Sequence, residues 1–169
     1  MSRREFLRGV VGALVASATS MGRSRAEGGA GERFEIVKSD DEWRRALSAG
    51  QYAVLREGDT ERARSSPLDE ERRPGVYRCA GCDLPVFSSQ TKFDSGTGWP
   101  SFWVAIDGAV RTRQEGIRFF IPATEVHCRR CGSHLGHVFG DGPAPTHLRY
   151  CINGIALRFE PRPTPSAGG

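Results

Sequence analysis

The sequence predicts a mainly β fold: two antiparallel sheets stapled by a structural zinc, with short helices on the N-terminal side. Three observations predict it. Short runs rich in Val, Ile, Tyr, Phe and Trp recur between Val76 and Phe159. Turn-formers separate them, with 21 Gly and 10 Pro in 169 residues, which suits short strands better than a helix bundle. Two Cys-x-x-Cys knuckles, Cys79–Cys82 and Cys128–Cys131, each stand where a strand end meets a tight turn. At 18.5 kDa there is room for one domain and for no second large one.

Residues 1–26 read as an address. Ser2-Arg3-Arg4-Glu5-Phe6-Leu7 precedes a mild apolar stretch from Val10 to Gly22, and Ser24-x-Ala26 makes a small-residue cleavage site. The stretch is too short and too mild to span a bilayer, which takes about 20 apolar residues. The segment resembles a twin-arginine signal peptide, so the expectation is export to a bacterial periplasm, with Glu27 as the first mature residue. An amphipathic membrane-surface helix is the alternative. No Cys follows the apolar stretch, which argues against a lipid anchor. Five Arg against one Glu give this segment the whole chain's net charge of +4. The body is therefore neutral and lacks the basic patch that nucleic acid demands.

The body then reads in order. Residues 27–37 form a flexible mature N-terminus, and 38–160 hold the folded domain. Ser39-Asp40-Asp41-Glu42 is a capping box, followed by Trp43, Ala46 and Leu47 at helical spacing, with Gly50 as the stop. A second short helix covers Tyr52–Arg56. Thr60–Gly75 is charged and reads as a long surface loop. Strands are predicted at Val76–Cys79, Pro85–Ser88, Ser101–Ile106, Val110–Arg113, Ile117–Ile121, Val126–Cys128, His137–Phe139 and Leu148–Phe159, the last split by a turn or bulge at Asn153-Gly154. Residues 161–169 are a Pro/Ser/Gly tail expected to be disordered.

The two knuckles supply four thiolates, which close a tetrahedral shell around zinc with no position left for water. Such a metal joins sheets and does no chemistry. Two disulfides, as an exported protein could form, and a redox Cys-x-x-Cys are the alternatives. Cys151 is the fifth and last cysteine. A single strand Cys is ordinarily a buried, inert hydrophobe. Here Arg149 and Asn153 share its face if the segment is extended, and a cation near a thiol lowers its pKa while an amide stabilises an oxyanion. His134 and His137 follow the second knuckle and offer a general acid. Gly96-Thr97-Gly98 bends the chain just before Trp99-Pro100, which sets a large ring on a loop that builds a site.

Taken together, Tyr77-Arg78-Cys79-Ala80-Gly81-Cys82, the run Lys92–Phe102, Cys128-x-x-Cys131, His134–Phe139, Asp141-Gly142-Pro143 and Arg149–Asn153 resemble the B-type methionine sulfoxide reductases. The resemblance extends from about Lys38 to Phe159. It implies reduction of the R epimer of methionine sulfoxide in proteins and peptides, a repair reaction of oxidative stress. It implies Cys151 as the nucleophile on the sulfoxide sulfur, and His134 and His137 as groups that protonate the departing oxygen and hold substrate. It implies Trp99, with Phe139 beside it, as the seat of the substrate methyl group, with Thr97 on the same loop. Arg149 and Asn153 tune Cys151, and Cys79, Cys82, Cys128 and Cys131 bind one structural zinc.

The sequence departs from the family pattern at three places. Thr97 stands where many members carry a resolving Cys, His147 where Gly is common, and Gly154 where Ser is common. With four cysteines on zinc, no resolving thiol remains. The sulfenic acid left on Cys151 then needs an external thiol, thioredoxin-like or other. An ordinary Cys is only about 3% thiolate at pH 7, so the site must lower that pKa or deprotonate the thiol on substrate binding. The expected partners are oxidised proteins, the reductant and the twin-arginine machinery, with the enzyme itself a monomer. One rival is a zinc-stapled binding module that holds a ligand in an aromatic cage without turnover; it gives no reason to keep Cys151 with two histidines. Another is an exported thiol or zinc-storage protein, which calls for more exposed thiols.

Overall fold

The computed structural model describes residues 32–118 and 121–162. The export signal and residues 163–169 of the expected tail lie outside the described residues. Helix α1 spans Asp40–Ala46 behind the capping box of Ser39 and Glu42. It ends four residues before Gly50, because Ser48 and Gln51 open a second capping box, with Ser48 N donating to Gln51 Oε1 at 3.1 Å. Helix α2 therefore spans Ala49–Glu57 and holds Gly50 in its first turn. Gly58 closes it at φ 74°, a left-handed position that glycine takes without steric cost. Trp43, Tyr52, Val54 and Leu55 are buried, whereas Ala46 is exposed.

Nine strands follow among the described residues. β1 (Gly75–Cys79), β2 (Pro85–Ser88) and β9 (Leu157–Pro161) form one antiparallel sheet in the order β2-β1-β9. β3 (Lys92–Phe93), β4 (Ser101–Phe102), β5 (Val110–Arg118), β6 (Ile121–Cys128), β7 (His134–Phe139) and β8 (Arg149–Ile152) form the second, in the order β3-β4-β8-β7-β6-β5. The two-sheet fold is the one the sequence predicts. Tyr77 and Phe87 of the first sheet meet Phe102 of the second at ring-centroid distances of 4.9 and 4.4 Å. All three rings are fully buried, and burial of each is worth about 1.5–3 kcal/mol.

Several boundaries differ from the sequence reading. Ser101–Ile106 pairs only over Ser101–Phe102, and Ile117–Ile121 straddles two strands of one long β5–β6 hairpin. The run Leu148–Phe159 is two strands in different sheets, and Asn153-Gly154 is neither hairpin turn nor bulge. The chain crosses there from one sheet to the other through a 3-10 turn at Gly154–Ala156. Phe34 and Ile36, expected in the flexible 27–37 segment, are held: Ile36 N donates to Arg130 O at 3.0 Å, and the Phe34 ring lies at the second knuckle, 2.6 Å from where a Cβ on Gly132 would stand. Pro161, expected in the tail, completes β9.

Candidate active site and cysteine cluster

Cys151 lies mid-strand in β8, paired with His137 of β7 on one side and Ser101 of β4 on the other. Its sulfur is 3.9 Å from Thr97 Oγ1. Burial pushes the Cys151 thiol up, and the nearby Arg149 charge and the Thr97 hydroxyl pull it down without reversing the shift. The Arg149 guanidinium is already engaged: it donates to both Asp141 oxygens, at 2.9 and 2.8 Å, and lies 4.5 Å over the Phe139 ring. Arg149 lowers the Cys151 thiol as a nearby cation should, but burial outweighs it in the free chain.

His134 and His137 are an odd number of residues apart, so regular alternation would put them on opposite faces. A bulge prevents this. Val126 pairs with Gly136 and His127 with His134, which leaves Leu135 as the extra residue. The two imidazoles come to the same side, with centroids 5.3 Å apart. Gly136 lets the strands close, because a Cβ there would stand 2.2 Å from the Cys151 carbonyl oxygen. His134 Nδ1 is 3.0 Å from Glu125 Oε1, and His137 Nε2 is 3.1 Å from Glu115 Oε2. His134 Nε2 is buried with no hydrogen-bond partner. Burial pushes the Glu125 carboxyl up, but hydrogen bonds with His127 and His134 and the charge of Arg113 overcome this and hold it well below the usual carboxylate range. Glu125 is therefore ionised and must accept, so His134 carries its hydrogen on Nδ1.

Asn153, two residues after the thiol, is buried and held by three hydrogen bonds. Its Nδ2 donates to Leu135 O at 3.1 Å, its backbone N–H donates to the same carbonyl at 2.9 Å, and its Oδ1 accepts from Glu61 N at 3.0 Å. These bonds pin the bulge that orients the histidines. The segment expected as a surface loop also reaches the site. Trp99 Nε1 donates to Glu61 O at 3.1 Å, and Arg64 N donates to Gly98 O at 2.7 Å. The Glu61 carboxylate accepts from Gly154 N and Ile155 N at the start of the 3-10 turn. A Cβ on Gly154 would meet Ser66 Cβ at 2.4 Å, so Ser66 already fills the space a serine would need. His147, where Gly is common in the family, has φ 58°, a left-handed conformation that explains a glycine preference.

The site thus unites Cys151, His134, His137, Thr97, Phe139 and Arg149, and Trp99 follows on the Thr97 loop with its indole held by the Glu61 carbonyl. Sequence reading missed Glu125, Glu115 and Asp141, the carboxylates that hold His134, His137 and Arg149, and Glu61, whose backbone carbonyl holds the Trp99 indole. Strand register brings in Glu125, which pairs with Arg113 and with His137.

The knuckle cysteines come from both sheets. Cys79 ends β1, Cys128 ends β6, and all four sulfurs lie within 4.8 Å of one another. The Cys79–Cys131 and Cys82–Cys128 separations are 3.8 and 3.5 Å. A disulfide needs about 2.05 Å, whereas a tetrahedron with metal–sulfur bonds of about 2.3 Å has edges of about 3.8 Å. The donor set fits a metal ion and excludes disulfides in this arrangement.

Comparison with known proteins agrees. The SelR domain model matches residues 47–161. The chain is 53% identical over 126 residues to the peptide methionine sulfoxide reductase MsrB of Thiobacillus denitrificans, covering 74% of this chain and 95% of that protein. It is 51% identical to the protein of the same name from Methanosarcina barkeri, over 74% of this chain and 88% of the relative. It is 51% identical to that of Leifsonia xyli, over 80% and 97%. Among solved structures it is similar to the Mis18 "Yippee-like" domain, with TM-score 0.46 and 20% identity over 54% of this chain and all of that one. With the SelR model spanning both sheets and about half of the aligned positions shared with these relatives, the chain belongs to the SelR-domain family of B-type methionine sulfoxide reductases.

Proposed function

We propose that this chain is a peptide-methionine (R)-S-oxide reductase that repairs oxidised proteins with one redox cysteine. The observation that carries the reading is the pairing of Cys151 with His137 across β7–β8, with His134 brought to the same side by the bulge. Cys151 attacks the sulfoxide sulfur as His134 or His137 protonates the oxygen. The oxygen ends on Cys151 as a sulfenic acid and methionine leaves. Two electrons pass from the cysteine sulfur to the methionine sulfur, on the reversible rung of thiol oxidation. An external thiol then forms a mixed disulfide with release of water, and a second thiol frees Cys151. Trp99 and Phe139 supply the apolar seat for the substrate methyl group, and the family resemblance assigns the R epimer. Arg149 acts on the developing thiolate.

Cys79, Cys82, Cys128 and Cys131 hold one zinc, whose closed shell fastens the two sheets. Residues 1–26 direct export to a bacterial periplasm through the twin-arginine route, which carries folded proteins and so suits a domain that takes up its metal before leaving the cytosol. The reductant is a thioredoxin-like or other thiol, and the enzyme works as a monomer. Turnover of separated R and S peptide sulfoxides with dithiothreitol tests the reading. Reduction of R alone, abolished in Cys151→Ser, is expected; equal rates on both epimers, or none, would refute it.

A further inference from the structure

The loop between β3 and β4 carries a run of hydroxyls that ends at the thiol. Thr97 Oγ1 lies 3.9 Å from Cys151 Sγ and 2.8 Å from Ser95 Oγ. Ser95 Oγ lies 2.7 Å from Ser101 Oγ, and Ser101 Oγ donates to the Trp99 carbonyl at 3.1 Å. Ser101 is 1% exposed and stands opposite Cys151 in the β4–β8 pairing. Each hydroxyl has one hydrogen to give. With Ser101's hydrogen on the Trp99 carbonyl, Ser95 must donate to Ser101 and Thr97 must donate to Ser95. Thr97 is then left as the acceptor for the Cys151 S–H. When the sulfur loses its proton, Thr97 turns its hydrogen to the thiolate. One bond is then lost: the Thr97–Ser95 bond if the two serines stay as they are, or the bond to the Trp99 carbonyl if they turn as well. The thiol arrangement has four hydrogen bonds and the thiolate arrangement three.

We propose that Thr97, Ser95 and Ser101 form a hydroxyl chain, anchored on the Trp99 carbonyl, that loses one hydrogen bond when Cys151 ionises and so ties the charge state of the sulfur to the chain. Ser101 biases the free enzyme towards the thiol, and Thr97 stabilises the thiolate once it forms. The inference rests on Cys151 being the reactive sulfur. In the free enzyme the sulfur's proton passes to water. The three hydroxyl hydrogens stay on their own oxygens and only swing, so no charge moves along the chain. The charged or titratable groups facing the sulfur are Arg149 on β8 with Asp141 behind it, and His137 on β7 with Glu115 behind it and His134 beside it. They are unchanged in the variants below.

The test is the alkylation rate of Cys151 by iodoacetamide across pH in the full, zinc-loaded chain, read by peptide mass. The midpoint reports ionisation and the high-pH plateau reports access. Thr97→Val removes the hydroxyl donor to the thiolate and should slow alkylation at pH 7 by about three- to tenfold, with the midpoint raised. Ser101→Ala should do the opposite: without Ser101 the chain no longer gains a bond in the thiol form, so the midpoint falls and alkylation at pH 7 quickens by about two- to fivefold. Ser95→Ala should move the midpoint in the same direction, which keeps the test open if either serine variant folds poorly. In a Thr97→Val background, Ser101→Ala should add nothing. A raised or unmoved midpoint in both serine variants, or an undiminished Ser101→Ala effect without the Thr97 hydroxyl, overturns the chain. Alkylation does not depend on turnover, so loss of this proposal is distinct from failure of the Cys151→Ser assay.

Discussion

Glu125 is 4% exposed, yet its carboxylate is ionised among Arg113, His127 and His134. Glu125→Gln keeps the shape and removes the charge that dictates the Nδ1–H form of His134. A fall in kcat of about ten- to a hundredfold with KM little changed is expected, the range of a misdirected general acid. A steady-state comparison with His134→Ala checks it. The same substitution should destabilise the fold by about 1–3 kcal/mol, because buried partners lose their acceptor. Its pH dependence has a definite sign. The folded carboxyl lies below its unfolded value of 4.5, so its stabilising share is complete above that pH. The share is lost as pH falls towards the lower folded value, and the stability gap between wild type and Glu125→Gln in urea titrations should narrow there. Cys151 and the two histidines were legible in the sequence because such residue types are scarce: 5 Cys and 4 His in the chain. Glu125 was not, being one of 20 acidic residues until strand register singled it out.

At the level of elements, the β7 bulge decides which way the histidines point. The bulge was hidden in the sequence, because His134-Leu135-Gly136-His137 reads equally as regular alternation. Asn153 was taken for a site amide because Leu148–Phe159 reads as one extended run. At the crossing between sheets that side chain bonds the Leu135 carbonyl and the Glu61 N–H. Asn153→Ala should therefore cost about 1–3 kcal/mol by leaving the Glu61 N–H without its acceptor and the bulge with one bond fewer, and should lower turnover through the histidines. Thermal denaturation beside kcat checks both. Gly136→Ala should be worse tolerated in activity than in fold, since its Cβ would press directly on the Cys151 carbonyl. In the loop before β8, His147→Gly should raise stability by about 1 kcal/mol, because φ 58° is a left-handed conformation that costs a side chain about that much. Urea midpoints report it. The helix starts were legible from their capping boxes, whereas the Gly50 stop was misread because Ser48-x-x-Gln51 went unnoticed.

For the whole molecule, the cysteines divide into four that join β1 of one sheet to β6 of the other, and one that stands at the site. That division was readable from spacing alone, since knuckle pairs have a fixed interval and Cys151 has no partner in sequence. Removal of the metal with a strong chelator should lower the melting temperature sharply, as the site contributes to folding directly. Elemental analysis should give one zinc per chain; metal-free protein with intact stability contradicts this. Arg3→Lys with Arg4→Lys should trap the precursor in the cytoplasm, and normal delivery of the double-lysine form to the periplasm contradicts the export reading.

On the proposed reading the division of the five cysteines implies a one-cysteine cycle. If the four clustered thiolates hold zinc, using one as a resolving group would open the shell that fastens the sheets, and a threonine hydroxyl at position 97 cannot form a stable bond to an oxidised sulfur. The most direct test is a single turnover on the R epimer without reductant, followed by intact-mass analysis. The expected result is one methionine released per chain and one oxygen added on Cys151, trapped by a dimedone-type reagent. A loss of two hydrogens, with Cys151 bonded to another cysteine of the same chain, would contradict it.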